Sequence, residues 1–228
     1  MVSLGRIRIL ELVEPGFFGG VLNHNVVVVE KGPSGGLMMI DTSLPMNLEK
    51  IELYLRAWGY FLEDVSDVVV THWHHDHAGN ASELRKLGAR IYAHENEVEY
   101  LKSPPRYEIA YNDVKDELKV SEEEFKSTVE RIAHLEYDPV TVDVPLKGGE
   151  VLSGFRVLHV PGHTRGHIAL FDGNFLVTGD AVRGVGKLTP PLRFFSWNYA
   201  EALDSFRILT SLPYSVIIPY HGEVVTRW

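Results

Sequence analysis

Thr71-His-Trp-His-His-Asp-His77 decides the reading of this 228-residue chain, because four of its 11 histidines fall inside that one stretch. Residues two apart on an extended segment project to the same side, so His72 and His74 can hold one metal ion between their imidazoles. Just before them, Val65 to Val70 is a short, mostly apolar run that predicts a buried strand emptying into the histidines. Just after them, Ala78 to Leu87 returns to helical spacing with Leu84 and Leu87, and Gly88 closes it. The cluster therefore lies at a strand-to-helix turn, where Asp76 and His77 can face a second ion from another direction. A solvated histidine-rich loop is the plain alternative, and the spacing and position argue against it. His75 falls between the ligand positions and is expected to face solvent or to support its neighbours.

Three further residues each sit just beyond an apolar strand. His163 lies in Val160-Pro-Gly-His-Thr-Arg-Gly-His167, Asp180 in Val177-Thr-Gly-Asp180, and His221 in Ile217-Ile-Pro-Tyr-His-Gly222. Singly, each reads as a turn residue or a buried polar side chain. Together with the H-x-H-x-D-H string they read as strand ends converging on one edge.

Around these motifs the chain opens with strands at Ile7 to Val13, Val21 to Glu30 and Leu37 to Ile40. A helix follows from Asn47, with Leu48, Ile51, Leu55 and Trp58 at helical spacing, and Ile91 to Ala93 predicts another short strand. Glu95 to Arg131 is densely charged, broken at Pro104-Pro105, with a helix expected after Ser121. The second half resembles the first in its order of elements, with strands near Val140 to Val144, Phe155 to Val160, His167 to Phe171 and Phe175 to Thr178, and a tight hairpin turn at Asp172-Gly-Asn174. Tyr199, Ala202, Leu203, Phe206 and Leu209 mark a last helix, and Val216 to Pro219 a last strand. No Gly- or Ser-rich linker divides the chain, so one domain over 1–228 is expected, with 102–138 as a helical insertion, either a lid or a dimer contact.

Composition narrows the chemistry. Hydrophobic residues at 45% predict a folded core, and no apolar stretch approaches the length of a bilayer span. Met1 to Leu10 alternates in polarity and reads as a strand, not a signal peptide, which predicts a cytoplasmic protein without membrane partners. A formal charge of −9 works against broad nucleic-acid binding and favours a small-molecule substrate. With no cysteine, a thiolate-bound zinc, an iron–sulfur cluster and a thiol nucleophile are all excluded, so a metal must use His and carboxylates.

From Asp41 through His221 the ordered motifs resemble the metallo-β-lactamase-fold hydrolase superfamily. The resemblance implies an α+β fold, the four-layered αββα sandwich. It also implies two divalent ions, zinc foremost, with manganese or iron as alternatives. His72, His74 and His163 would hold the first ion; Asp76, His77 and His221 the second; Asp180 would bridge them. Asp76 and Asp180 would also be the catalytic carboxylates, orienting the attacking water and carrying a proton to the leaving group. Asp41 would stand behind a ligand histidine, and His167 would hydrogen-bond within its loop without ligating.

The wording Pro161-Gly-His-Thr-Arg-Gly-His167 resembles the glyoxalase II and lactonase branch. His74 departs from the flavodiiron branch, which has Glu there, and the absence of cysteine sets aside the β-lactamases with a Cys ligand. Glyoxalase II proper carries a C-terminal helical region, whereas this chain ends seven residues after His221, so a general ester, thioester or lactone is expected rather than hydroxyacylglutathione. The alternatives are a phosphodiesterase or nuclease, and an iron-dependent oxidoreductase or non-catalytic metal-binding module. Arg183, in a Gly- and Pro-rich loop with Phe194, Phe195 and Trp197, and Tyr199 are candidates for binding an anionic, partly apolar substrate. Tyr220 is expected to pack in the core rather than to donate to an oxyanion.

Overall fold

Four consecutive valines, Val26 to Val29, cannot hide a single face from water, because successive strand residues point to opposite sides. Val27 and Val29 face one apolar core and Val26 and Val28 another, all four fully buried. The strand that carries them must therefore be covered on both faces. The computed structural model describes residues 2–106, 109–133 and 135–227; Tyr107, Glu108 and His134 of the expected insertion lie outside the described residues.

The first sheet runs in chain order: β1 (Val2–Leu4), β2 (Ile7–Phe17), β3 (Gly20–Val29), β4 (Leu37–Ile40), β5 (Val65–Val69), β6 (Arg90–His94) and β7 (Val144–Leu146). Its pairings are antiparallel as far as β4 and parallel beyond it. The second sheet holds β8 (Val151–Leu152), β9 (Phe155–His159), β10 (Ile168–Phe171), β11 (Phe175–Val177), β12 (Val216–Ile218) and β13 (Val225–Thr226), with only β11 and β12 parallel. Ile9, Val27 and Ile40 of the first sheet meet Phe155, Leu170 and Ile218 of the second in the central core.

The helices are α1 (Leu48–Ala57), α2 (His75–Ala78), α3 (Ala81–Lys86), α4 (Val98–Lys102), α5 (Tyr111–Leu118), α6 (Glu122–Ala133) and α7 (Tyr199–Ser211). Ile51 and Leu55 of α1 and Leu84 of α3 pack on the outer face of the first sheet, against Val28, Met39 and Val68. Leu209 of α7 packs on the outer face of the second, against Leu176 and Ile217. The order helix, sheet, sheet, helix is the expected αββα sandwich. Among the described residues no helix is long and apolar enough to cross a membrane.

Four local expectations are corrected. The first strand runs on to Phe17, forming a long hairpin with β3. The expected helix from Ala78 to Leu87 is α3 over Ala81–Lys86 alone, with the short α2 before it; between them the chain lies against the loop after β4, where a Cβ on Gly79 would be 2.3 Å from the Ser43 carbonyl oxygen. The strand expected at Val140 to Val144 begins only at Val144, since the Val140 N–H donates to the Leu101 carbonyl (3.0 Å) at the end of α4. Within 102–138, α5 joins the expected helix α6. Val114 and Phe125 bury against Phe18 at the β2–β3 turn, and the Phe18 N–H donates to Thr128 Oγ1 (2.8 Å). At the expected hairpin turn, Asp172 Oδ1 accepts from the Asn174 and Phe175 N–H groups at 3.0 and 2.7 Å, and Gly173 supplies φ +94°.

Candidate metal centre

Val65, Val68 and Val69 bury β5 in the sheet, and the histidine-rich stretch begins where the sheet ends. Thr71 and His72 are fully buried, His74 nearly so, and α2 then turns Asp76 and His77 inward. Asp41, at the end of β4 with φ +60°, fixes this turn. Its Oδ1 accepts the Thr71 N–H (2.8 Å), and its Oδ2 accepts from His77 Nδ1 (2.8 Å). That bond sets the His77 ring so that Nε2 points into the site, the usual way in which a carboxylate orients a ligand imidazole.

His163 follows β9 in a loop seated on α7. A Cβ on Gly162 (φ +126°) would lie 2.1 Å from the Ala202 nitrogen, so only glycine permits this approach. Asn198, the cap of α7, donates its N–H to the Gly162 carbonyl (2.9 Å), and the Trp197 N–H donates to that of His163 (3.0 Å). Glu97, fully buried, ties this loop to the histidine cluster: it accepts from the Trp73 N–H (2.9 Å) and the Gly166 N–H (2.6 Å). Burial pushes its pKa up. Asp180 follows β11, and its N–H donates to His167 Nε2 (3.1 Å). His167 thus bonds to the Asp180 loop and not within its own. His221 follows β12, with Nδ1 2.8 Å from the Asn23 carbonyl.

The seven expected ligands gather at one edge of the sandwich. The ligand atoms of His72, His74, His163 and Asp180 lie within 4.8 Å of one another, as do those of His77, Asp180 and His221. Asp180 faces both groups: Oδ2 is 3.4 Å from His163 Nε2, while Oδ1 is 3.4 Å from His77 Nε2 and 3.3 Å from His221 Nε2. Asp76 Oδ2 lies 3.1 Å from His221 Nε2 and 3.6 Å from His77 Nε2.

Charge divides the two groups. Burial lowers the pKa of His72 and of His74 well below the ordinary value, and that of His163 to about 4. Burial opposes charge at His77 and His221 too, but the facing carboxylates overcome it: the pKa of His77 is raised well above the ordinary value and that of His221 to about 9. Asp76 and Asp180, pulled down by those same imidazoles against their own burial, stay ionised.

His72 Nε2, His77 Nε2 and Asp180 Oδ1 are buried with no hydrogen-bond partner among the described residues. Imidazole nitrogens and carboxylate oxygens left orphaned at such separations fit two divalent ions, each of which would satisfy several at once.

Above this edge a cleft is walled by Phe17, Leu22, Leu44, Ile132, Leu192 and Phe195, and Arg183 lines it as well. Tyr199 opens α7 and is not among the described residues that line this cleft. Tyr220 is buried in the core, its hydroxyl donating to the Asp76 carbonyl and its ring against His77 with centroids 3.9 Å apart. His75 is half-buried beside Tyr137 (5.2 Å between ring centroids). Sequence reasoning missed Glu97 and His24. The second had a visible signal, a polar triplet Asn23-His24-Asn25 interrupting an apolar strand.

Residues 19–221 match the Metallo-beta-lactamase superfamily. The chain is similar to the probable metallo-hydrolase YflN of Bacillus subtilis (strain 168), 30% identical over 176 residues that cover 70% of this chain and 65% of that protein. It is also similar to a hydroxyacylglutathione hydrolase of Pseudomonas fluorescens (strain SBW25), 31% identical over 147 residues, 62% of this chain and 44% of that one. The chain thus spans less than two thirds of the length of these curated relatives. The crystal structure of the metallo-beta-lactamase family protein TTHA1429 from Thermus thermophilus shares the fold, with a TM-score of 0.72 at 24% identity, covering 98% of this chain and 75% of that one. With the family match extending over most of the sandwich and over every motif from Asp41 to His221, the chain belongs to the metallo-β-lactamase superfamily.

Proposed function

We propose that this chain is a dinuclear metal-dependent hydrolase of a small carboxylic ester, thioester or lactone whose acyl side is partly apolar and carries an anionic group. Zinc is the proposed metal, with His72, His74 and His163 holding the first ion, Asp76, His77 and His221 the second, and Asp180 shared. Two such ions supply an activated water at neutral pH and polarise the scissile carbonyl. With the ions bound, Asp76 and Asp180 would be the carboxylates placed to orient the attacking water and to pass a proton to the leaving oxygen or sulfur.

The observation that carries the substrate class is the cleft over the ligand edge. Its walls are apolar, which suits an acyl chain and not a phosphodiester backbone. Among the described residues that line it Arg183 is the one arginine or lysine, half-buried and without an ion-pair partner among the described residues; burial lowers its pKa, with Asp180 and Glu117 opposing. A guanidinium left unpaired in such a place suits a substrate carboxylate. Ile132 and Leu135, from the 102–138 segment, complete the wall, which supports a lid role for that segment over a dimer contact.

The test is a panel of esters, thioesters, lactones and phosphodiesters, run on protein reconstituted separately with zinc, manganese and iron. Turnover of anionic acyl esters above that of phosphodiesters is expected. Phosphodiester turnover in excess would move the assignment to the nuclease class, and two ions bound without any turnover would leave a metal-binding module.

A further inference from the structure

One buried imidazole beside the second group of ligands has no part in the seven-residue reading. His24, in β3, is fully buried. Its Nδ1 lies 2.8 Å from Ser43 Oγ, which also accepts from Asn47 Nδ2 (2.9 Å). Its ring stacks on Tyr220, centroids 5.4 Å apart and 14° between planes, so the imidazole is held at its edge and on its face. Nε2 is left with no hydrogen-bond partner among the described residues, and it lies 3.8 Å from Asp76 Oδ2 and 3.5 Å from Glu14 Oε2. A buried ring nitrogen without a partner is costly unless something else engages it.

The neighbours say what that is. The ligand atoms of His24, Asp76 and His221 lie within 4.8 Å of one another, as closely grouped as those of His77, Asp180 and His221. His221 belongs to both groups. Nδ1 fixed by a hydroxyl and Nε2 turned inward is also how a ligand histidine is prepared, just as Asp41 prepares His77. Glu14 completes the surroundings, one oxygen toward His24 and the other 3.1 Å from the Arg131 guanidinium of α6.

We propose that His24 is a further metal ligand, and that His24, Asp76 and His221 give the second ion an alternative position next to the one made by His77, Asp180 and His221. This inference rests on the dinuclear reading above. The second ion then has two adjoining sets of donors that share His221 and Asp76, whereas the first ion has one.

Zinc uptake after equilibrium dialysis tests it in the wild type, in His24→Ala, in His77→Ala and in the double variant. His77→Ala should still take up two ions per chain at saturating zinc, because the His24 set remains. The double variant should fall to one. His24→Ala alone should weaken the second ion by about tenfold, the lower end for loss of a supporting group. His24→Asn, whose amide can still reach Ser43, guards against a folding defect and should match His24→Ala. The visible spectrum of the cobalt(II)-loaded chain should change in both His24 variants. A wild-type chain that takes up one ion overturns the dinuclear reading and this inference with it. Two ions in the wild type, with the double variant equal to His77→Ala, overturn this inference alone.

Discussion

The two groups of ligands are built from the same residue types and stand in opposite states of charge. Around the first, burial dominates, and His72, His74 and His163 are neutral, already in the form that binds a metal. Around the second, the carboxylates of Asp76, Asp41 and Asp180 dominate, and His77 and His221 hold protons. The difference follows from where the carboxylates fall: Asp41 and Asp76 are both on the side of the second group. An ion entering the first position displaces nothing. An ion entering the second must expel protons, so the two should load in order and respond differently to every change below.

The largest effect should come from the residue that joins them. Asp180→Ala removes the carboxylate that faces His163 with one oxygen and His77 and His221 with the other. Both ions should weaken, and turnover should fall by more than the roughly 100-fold that loss of an outer supporting group costs. Elemental analysis beside single-turnover rates checks this. Full occupancy of one ion in the variant would mean that the two positions are not joined through Asp180.

Changing pH should separate the positions without any mutation. His221 has its pKa raised to about 9, so raising the pH toward about 9 frees the second position and strengthens its ion, by about tenfold per unit for each proton expelled. His163, lowered to about 4, is neutral across that window, and affinity at the first position should stay flat. In the ion-free chain the sign reverses. A raised histidine contributes stability that is fully present below about pH 6.5 and fades as pH rises through about 9, so the empty protein should lose stability over the range in which it gains metal affinity. Zinc titrations and ion-free melting curves at matched pH check both halves.

Asp41→Asn tests whether the carboxylate behind His77 is the cause. Asn keeps an acceptor for the Thr71 N–H but removes the charge facing His77 Nδ1. The second ion should weaken about 10- to 100-fold and the first should be unaffected. The pH slope at the second position should also flatten, because His77 loses one of the carboxylates that hold its proton. An unchanged slope would assign that proton to Asp76 and Asp180 alone.

How much of this was legible in the sequence depends on distance along the chain. The expected ligands could be read because each sits in or just beyond an apolar strand, and a strand end is a local signal. The αββα order followed from the motifs, and the doubly buried valines of β3 agree with it. His24 could not be placed, because its approach to Asp76 is made by β3 carrying it under the turn after β5, residues far apart in sequence. Glu97 was hidden for the same reason, lying in a charged stretch with nothing to mark it as buried. Dense charge concealed α5 as well: only Val114 of that helix is fully buried, too few apolar positions to set a period. The strand expected at Val140 to Val144 had the right composition, but α4 had already claimed the Val140 N–H.

The smallest effect should come from a residue that belongs to neither group. Arg183 lines the cleft and pairs through its backbone with Thr189, N–H to carbonyl at 2.9 Å in both directions, so its loop is held independently of its side chain. Arg183→Met keeps most of the apolar stem and removes the charge. A charge-assisted bond to a substrate carboxylate contributes about 1.5 kcal/mol at the lower end of its range, which suits a half-buried guanidinium, so KM for an anionic ester should rise by about tenfold. KM for a neutral ester of the same shape should hardly move, because the walls of Phe17, Leu192 and Phe195 are untouched. Occupancy of both ions, and its pH dependence, should match the wild type. Equal losses on the two esters would remove Arg183 from substrate recognition. A shift in the second ion's affinity would instead mean that its charge acts on Asp180, and the contrast between the two positions would then extend into the cleft.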